Sequence, residues 1–184
     1  MRKIDVKIEG ITPLLMNKFN IEDISGESKK FVGMKNVTDD EVERKVYRNS
    51  KGQIFFPSKW FEGCLIAAGK SFKIPQKGKA TYSKIIGSGI SVEPLEIVNA
   101  TQKYEIDVQV ARNANTGGRI VCKRPRFDSW GATFQIVVDE EQLSLEVIKR
   151  LLEHAGQYVG VGNWRPSLKG KYGKFKVTCF KEAA

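Results

Sequence analysis

The sequence predicts an α+β fold: an antiparallel sheet on a split βαβ, ferredoxin-like pattern, with two helices on one face and elaborated loops. Three observations carry this. Residues 3–9 and the segment KFKVTCF, at opposite ends of the 184-residue chain, alternate apolar and polar side chains at a period of two, as half-buried strands do. Two segments, one after Pro57 and one after Ser144, carry helical periodicity. Three further alternating segments lie between them, so the order reads strand, helix, several antiparallel strands, helix, strand.

Each element has its own reason. Ile4, Val6 and Ile8 point one way in the first strand, with charged neighbours pointing the other. GITPLLMNKF leads into a polar stretch without periodicity, read as an insertion at about 19–37. Thr38 followed by Glu41 forms a capping box and opens a short helix through about Tyr47. NSKG is a turn, and QIFF before Pro57 a short strand. Ser58 then caps a helix of about fourteen residues, KWFEGCLIAAGKSF, whose apolar face is Phe61, Leu65, Ala68 and Phe72 with Cys64. A basic, glycine-containing excursion at about 75–89 is a second insertion. KYEIDVQVARN, RIVCKRPRF and ATFQIVVD read as strands, with ANTGG as a flexible loop between the first two. Ser144 opens the clearest helix, with Leu145, Ile148, Leu151, Leu152, Ala155 and Val159 in one stripe. The whole of 1–184 reads as one domain.

Composition narrows the function. Thirty-one Lys and Arg against twenty-one Asp and Glu give a net charge of +10, which suggests a polyanionic partner. The excess sits in three blocks. Residues 69–84 hold five lysines and no acid, 103–138 six bases against three acids, and 160–181 six bases and no acid. Brought to one face, these blocks make a groove for a phosphate backbone; spread apart, they are a basic, well-solvated surface. Three cysteines without CxxC spacing fit reduced thiols in a cytoplasmic protein, and neither a disulfide framework nor a zinc site. Charges near the N-terminus occupy the place of a signal peptide's apolar run. One histidine makes histidine triads and histidine-based metal sites poor hypotheses, and no cofactor, metal or catalytic constellation is expected.

The candidate nucleic-acid-binding residues fall in four groups. In GVGNWRPSLKGKYG, glycines at 160, 162, 170 and 173 would let backbone N–H groups approach a phosphate. Arg165, Lys169, Lys171 and Lys174 supply charge there, and Trp164 could stack on a base. The other reading is a loop whose glycines serve tight turns, with Trp164 packed inside. Ser58 and Lys59 at a helix start could hold a phosphate through free amides and the helix dipole, or be an ordinary cap with a solvated lysine. Gly63 and Gly69 suggest that a backbone or a ligand passes close to that helix. Lys70, Lys73, Lys77 and Lys79 lie in the first basic block. Arg112, Arg119, Lys123, Arg124 and Arg126 lie in the second, the last three beside Phe127 and Trp130 in a basic–aromatic mixture; these aromatics could equally be buried.

FPSKWFEGCLIAAGK after a short strand, and GVGNWRPSLKGKYGKF near the C-terminus, together resemble the RAMP superfamily, which builds the backbone of CRISPR effector complexes. PLLM after the first strand is similar to the way many members begin. The likeness covers both ends of the core. Where members often have a Lys-Gly pair in IPxSSxKGxxR, this chain has Glu62-Gly63, with lysines at Lys59 and Lys70 instead. It is short for a backbone subunit, as a trimmed or phage-encoded relative would be. The resemblance implies copies side by side along a single-stranded guide RNA, a homo-oligomer or filament within a larger ribonucleoprotein; no membrane partner is expected, since no window approaches 18 consecutive apolar residues. It likens KIPQKGKATYSK to the thumb that members insert between nucleotides, a segment that as sequence alone could equally be a disordered basic loop. RNA-recognition folds of similar topology use the open sheet face.

Family members that process guides use a histidine, but helical spacing sets His154 well off the apolar stripe, exposed and not catalytic. Others cleave target RNA with a loop aspartate; of the available ones, Asp39 and Asp40 sit in the first turn of a capped helix, where carboxylates are favourable anyway, and Asp23 lies in a mixed-charge loop without an evident partner. The expected function is therefore backbone binding of single-stranded RNA. The alternatives are a single-stranded DNA annealing protein, an endoribonuclease of the same fold, and a protein-binding inhibitor that mimics a backbone subunit.

Overall fold

The computed structural model describes residues 1–19, 39–112, 117–139, 141 and 143–183. In chain order the elements are β1 (Arg2–Gly10), β2 (Leu14–Leu15), α1 (Asp39–Glu43), β3 (Phe55–Pro57), α2 (Ser58–Gly69), α3 (Ser83–Gly89), β4 (Ile90–Glu93) and β5 (Glu96–Val98). There follow β6 (Glu105–Arg112), β7 (Arg119–Phe127), β8 (Gly131–Val138), α4 (Leu145–His154) and β9 (Phe175–Glu182).

The central sheet has the order β4-β8-β1-β9, with every neighbouring pair antiparallel. β1-α2-β4 straddles β8, and β8-α4-β9 straddles β1. Two interlocked split βαβ units of this kind are the ferredoxin-like arrangement that the strand and helix order predicts.

Ile4, Val6 and Ile8 are fully or almost fully buried and pair in register with Ile136, Phe134 and Ala132. α2 lays Phe61, Leu65 and Ala68 on them; α4 adds Ile148, Leu151 and Leu152. Phe61 stacks on Phe134 with ring centroids 4.7 Å apart, beyond what its burial alone contributes. Ser144 caps α4 as its sequence requires, its hydroxyl accepting from the Val147 amide at 3.4 Å. The apolar stripe continues past His154, but Ala155–Val159 closes as a π turn.

A second sheet, β2-β7-β6, stands beside the first, and β3 pairs with β5. Several sequence expectations need correction. The cap of α2 is Pro57, in extended backbone; Ser58 is the first helical residue, buried, and its amide donates to Leu95 O at 2.9 Å. α1 ends at Glu43 rather than near Tyr47. The excursion at 75–89 contains α3, which packs on α2 so closely that a Cβ on Gly69 would lie 2.9 Å from Ser83 N. Phe127 and Trp130 are core residues, the buried reading that the sequence left open for these aromatics, and Trp130 Nε1 donates to Thr12 O at 2.8 Å. Thr38, Asp23, nearly all of the first insertion and most of ANTGG lie outside the described residues.

Candidate nucleic-acid interface

α2 has two faces. Phe61, Cys64, Leu65 and Ala68 go to the core, while Lys59, Gly63, Ala67 and Lys70 follow one another on the opposite side at helical spacing, a stripe about 16 Å long. Across from this stripe the chain leaving the π turn forms the glycine-rich loop. Between them lies a cavity of about 280 Å³ whose walls include Lys59, Gly63 and Ala67 from α2 and Gly160, Gly162 and Arg165 from the loop, with Asn17 at the side. Neither Lys59 nor Arg165 makes an ion pair among the described residues. Arg165 is instead held by its own loop, Nε donating to Ser167 Oγ and Nη1 to Gly162 O, both at 3.0 Å. A Cβ built on Gly63 meets nothing within 4 Å among the described residues, so among them this helix surface is open toward the cavity.

The loop's glycines have a different cause from the one expected. A Cβ on Gly173 would lie 1.8 Å from Val161 O, on Gly170 1.7 Å from Trp164 O, and on Gly162 2.7 Å from Leu15 O. Gly160, Gly162 and Gly173 also have φ near +70 to +78°, where side chains are strained. These glycines let the loop fold back on itself and on β2. They build a rigid wall, and the close approach they permit is to protein backbone.

The second and third basic blocks meet at this wall. Arg124 on β7 is buried, and its guanidinium lies 4.6 Å from the Trp164 ring centre. Trp164 is therefore half-buried with one face occupied by a cation. Gln109 on β6 donates to Tyr172 Oη at 2.7 Å, a second tie between hairpin and loop. Arg126 is compensated by acids: Asp128 and Glu105 at 2.9 Å and Asp107 at 3.9 Å. The Asp128 hydrogen bond, opposed by burial and aided by the neighbouring carboxylates, holds its already basic guanidinium higher still. Arg119 is exposed at the far end of the hairpin, opposite Arg112 in the register, whose side chain lies outside the described residues. Lys123, farther along β7 and opposite Val108, is half-buried, its carbonyl accepting from Lys45 Nζ at 2.7 Å.

The first basic block starts where the α2 stripe ends. Lys70 continues that stripe, and Lys73, Lys77 and Lys79 are exposed on the tight excursion closed by the Lys73–Thr81 bridge. Lys169 and Lys171 are exposed on the glycine-rich loop, and Lys174 is half-buried with its amide on Thr12 Oγ1 at 3.0 Å. Ser58 is buried with its amide committed, so it presents nothing to a ligand. His154, expected to be exposed, is half-buried between Phe72 and Tyr158. Glu62 accepts from Val92 N at 3.0 Å and fastens edge strand β4 to α2.

The opposite face of the central sheet is unlike a stacking platform. Lys3, Asp5, Lys7 and Glu9 line it, with ion pairs from Lys3 to Glu93 at 3.2 Å and from Lys176 to Glu9 at 3.3 Å. None of the exposed large hydrophobics among the described residues falls on β1, β4, β8 or β9. No group of three or more His, Cys, Asp or Glu among those residues could hold a metal ion, and no helix there is long and apolar enough to cross a membrane. Cys64, on the cavity floor, donates to Gly160 O at 3.3 Å, and burial pushes its thiol up to about 12.

Fold and site thus define a ferredoxin-like domain with a cationic groove between its first core helix and a rigid glycine-rich loop. No protein-family model and no curated protein sequence matches the chain. Among solved structures, a chain of the Type III-B Cmr-beta assembly bound to cognate target RNA matches with a TM-score of 0.61 at 11% identity, over 98% of this chain and 60% of that one. Cmr6 from Pyrococcus furiosus matches at 12% identity with a TM-score of 0.43, over 95% of this chain and 97% of that one. The chain therefore spans 60% of the Cmr-beta chain's length. At 11% identity the likeness to the Cmr-beta chain is one of fold.

Proposed function

We propose that the chain binds single-stranded RNA through its sugar–phosphate backbone, as a subunit repeated side by side along a guide RNA in a CRISPR-type effector complex. The observation that carries this is the placement of Lys59 and Arg165 on opposite walls of one cavity, beside a helix face left bare by Gly63. Two cations that make no ion pair among the described residues, facing each other across one cavity, attract a phosphate chain and read little sequence. The RAMP-like fold supports the assignment, because the Cmr-beta structure it matches is bound to target RNA.

A neighbouring subunit has a surface to meet. Val108 and Val110 on β6 are 57% and 65% exposed on one side of an edge strand, an apolar strip that supports packing against the next copy. The reading assigns the chain a scaffold's role without catalytic residue or cofactor, in the cytoplasm, where its thiols stay reduced.

Purification with bound nucleic acid retained tests the proposal. The expected particle absorbs strongly at 260 nm, loses that absorbance to ribonuclease but not deoxyribonuclease, and has a mass of several protein copies per protected strand. Equal retention of DNA would favour the strand-annealing alternative. A nucleic-acid-free protein that binds neither polymer, yet captures an effector subunit, would favour the inhibitor.

A further inference from the structure

Resting on that reading, we infer that Tyr158 is a stacking platform for one unpaired nucleobase of the bound strand. The ring is 64% exposed, the one aromatic among the described exposed large hydrophobics beyond residue 19. It stands at the end of a row. Phe72 packs edge-on against His154 with centroids 5.0 Å apart, and His154 lies 4.7 Å from Tyr158 at an interplanar angle of 37°. The row runs from the half-buried Phe72 outward, and among the described residues no further ring or cation covers Tyr158. A ring braced on one side and bare on the other is preorganised to accept a flat partner, since little side-chain freedom remains to be lost.

Its position ties it to the groove. Tyr158 lies in the π turn Ala155–Val159, a helix irregularity that recurs at functional sites. The next two residues, Val159 and Gly160, already line the cavity between α2 and the loop. Arg150, with its guanidinium 5.8 Å from the Phe72 ring centre, puts a cation on the same row. Lys70 and Lys73 flank Phe72 in the chain, and both are exposed. A strand whose phosphates follow Lys59 and Lys70 brings a base within reach of Tyr158, and single-strand binders combine cations and rings in this way.

The test compares oligouridylate with an abasic ribose-phosphate oligomer of equal length. The full chain, Tyr158→Phe and Tyr158→Ala are each titrated at fixed salt. The proposal expects the unaltered protein to prefer the base-bearing strand by about tenfold, Tyr158→Phe to keep that preference, and Tyr158→Ala to abolish it while abasic affinity stays unchanged. Equal binding of both polymers by the unaltered protein, or an equal loss for both in Tyr158→Ala, overturns the stacking assignment and leaves phosphate binding standing. If Tyr158→Ala instead keeps the preference but disrupts the multi-copy particle, the ring serves a protein contact and the assignment also fails. Failure to bind either polymer refutes the underlying RNA reading and this inference with it.

Discussion

Gly63 separates stability from binding in a single position. Its Cβ direction is open among the described residues, so Gly63→Ala adds a methyl group that touches none of them within 4 Å. Gly in a helix interior is less favourable than Ala by about 0.5–1 kcal/mol, because the unfolded chain loses more freedom at Gly. The variant should therefore be more stable by that amount, about 1–4 °C in Tm for a chain of this length. Gly63→Leu directs a larger side chain at the cavity of about 280 Å³ that Lys59 and Arg165 share. It should fold, yet bind single-stranded RNA at least about tenfold more weakly, a loss of roughly 1.4 kcal/mol. Chemical denaturation reads the first effect and fluorescence anisotropy with labelled RNA the second. Destabilisation by Gly63→Ala would show that the helix face is covered rather than open. Undiminished affinity in Gly63→Leu would show that the strand runs elsewhere.

Further expectations follow from neighbouring groups. Arg124→Ala removes the guanidinium packed on Trp164 and should lower stability by about 1–3 kcal/mol in a urea titration, with Trp164 fluorescence changing in the native state. Cys64, with its thiol pushed up to about 12 by burial, should resist alkylation at pH 8 until the protein is unfolded, as mass mapping of labelled peptides would report. Glu43 is held below the usual carboxylate range by its hydrogen bond from Arg48, against the opposing effect of burial, with help from Tyr104. Its contribution is therefore present above about pH 4.3 and lost as pH falls through the lowered value. Glu43→Gln should flatten the acid side of the stability curve, measured by denaturation between pH 3 and pH 6.

Much of the core was legible because its signals are local. Ile4, Val6 and Ile8 alternate through a whole strand, and the stripe from Leu145 to Val159 repeats through several turns; the strand residues are buried as the period requires, and so is the stripe from Ile148 onward, with Leu145 partly buried at its start. β2, β4 and β5 were not, since two to four residues are too few for a period, and their pairing is decided by distant strands. The site was half legible. Lys59 and Arg165 stood out as charges, but nothing local says that they share a cavity about a hundred residues apart in sequence. The small-residue stripe of Gly63 and Ala67 was the available signal, lying opposite the apolar face of the same helix. The loop glycines misled because a glycine permits close approach without saying to what; here the approach is to Val161, Leu15 and Trp164. Arg126 and Arg124 look alike in RIVCKRPRF, yet one is surrounded by acids and the other buried on an indole.

The salt dependence of RNA binding measures most directly whether phosphates lie in the groove. A plot of log affinity against log salt should fall with a slope of about −0.7 per phosphate engaged. Lys59→Ala and Arg165→Ala should each make that slope shallower by about 0.7, whereas Lys7→Ala, on the far face of the central sheet, should leave it unchanged. A slope near zero, or one altered by Lys7→Ala and by neither groove variant, would contradict the account.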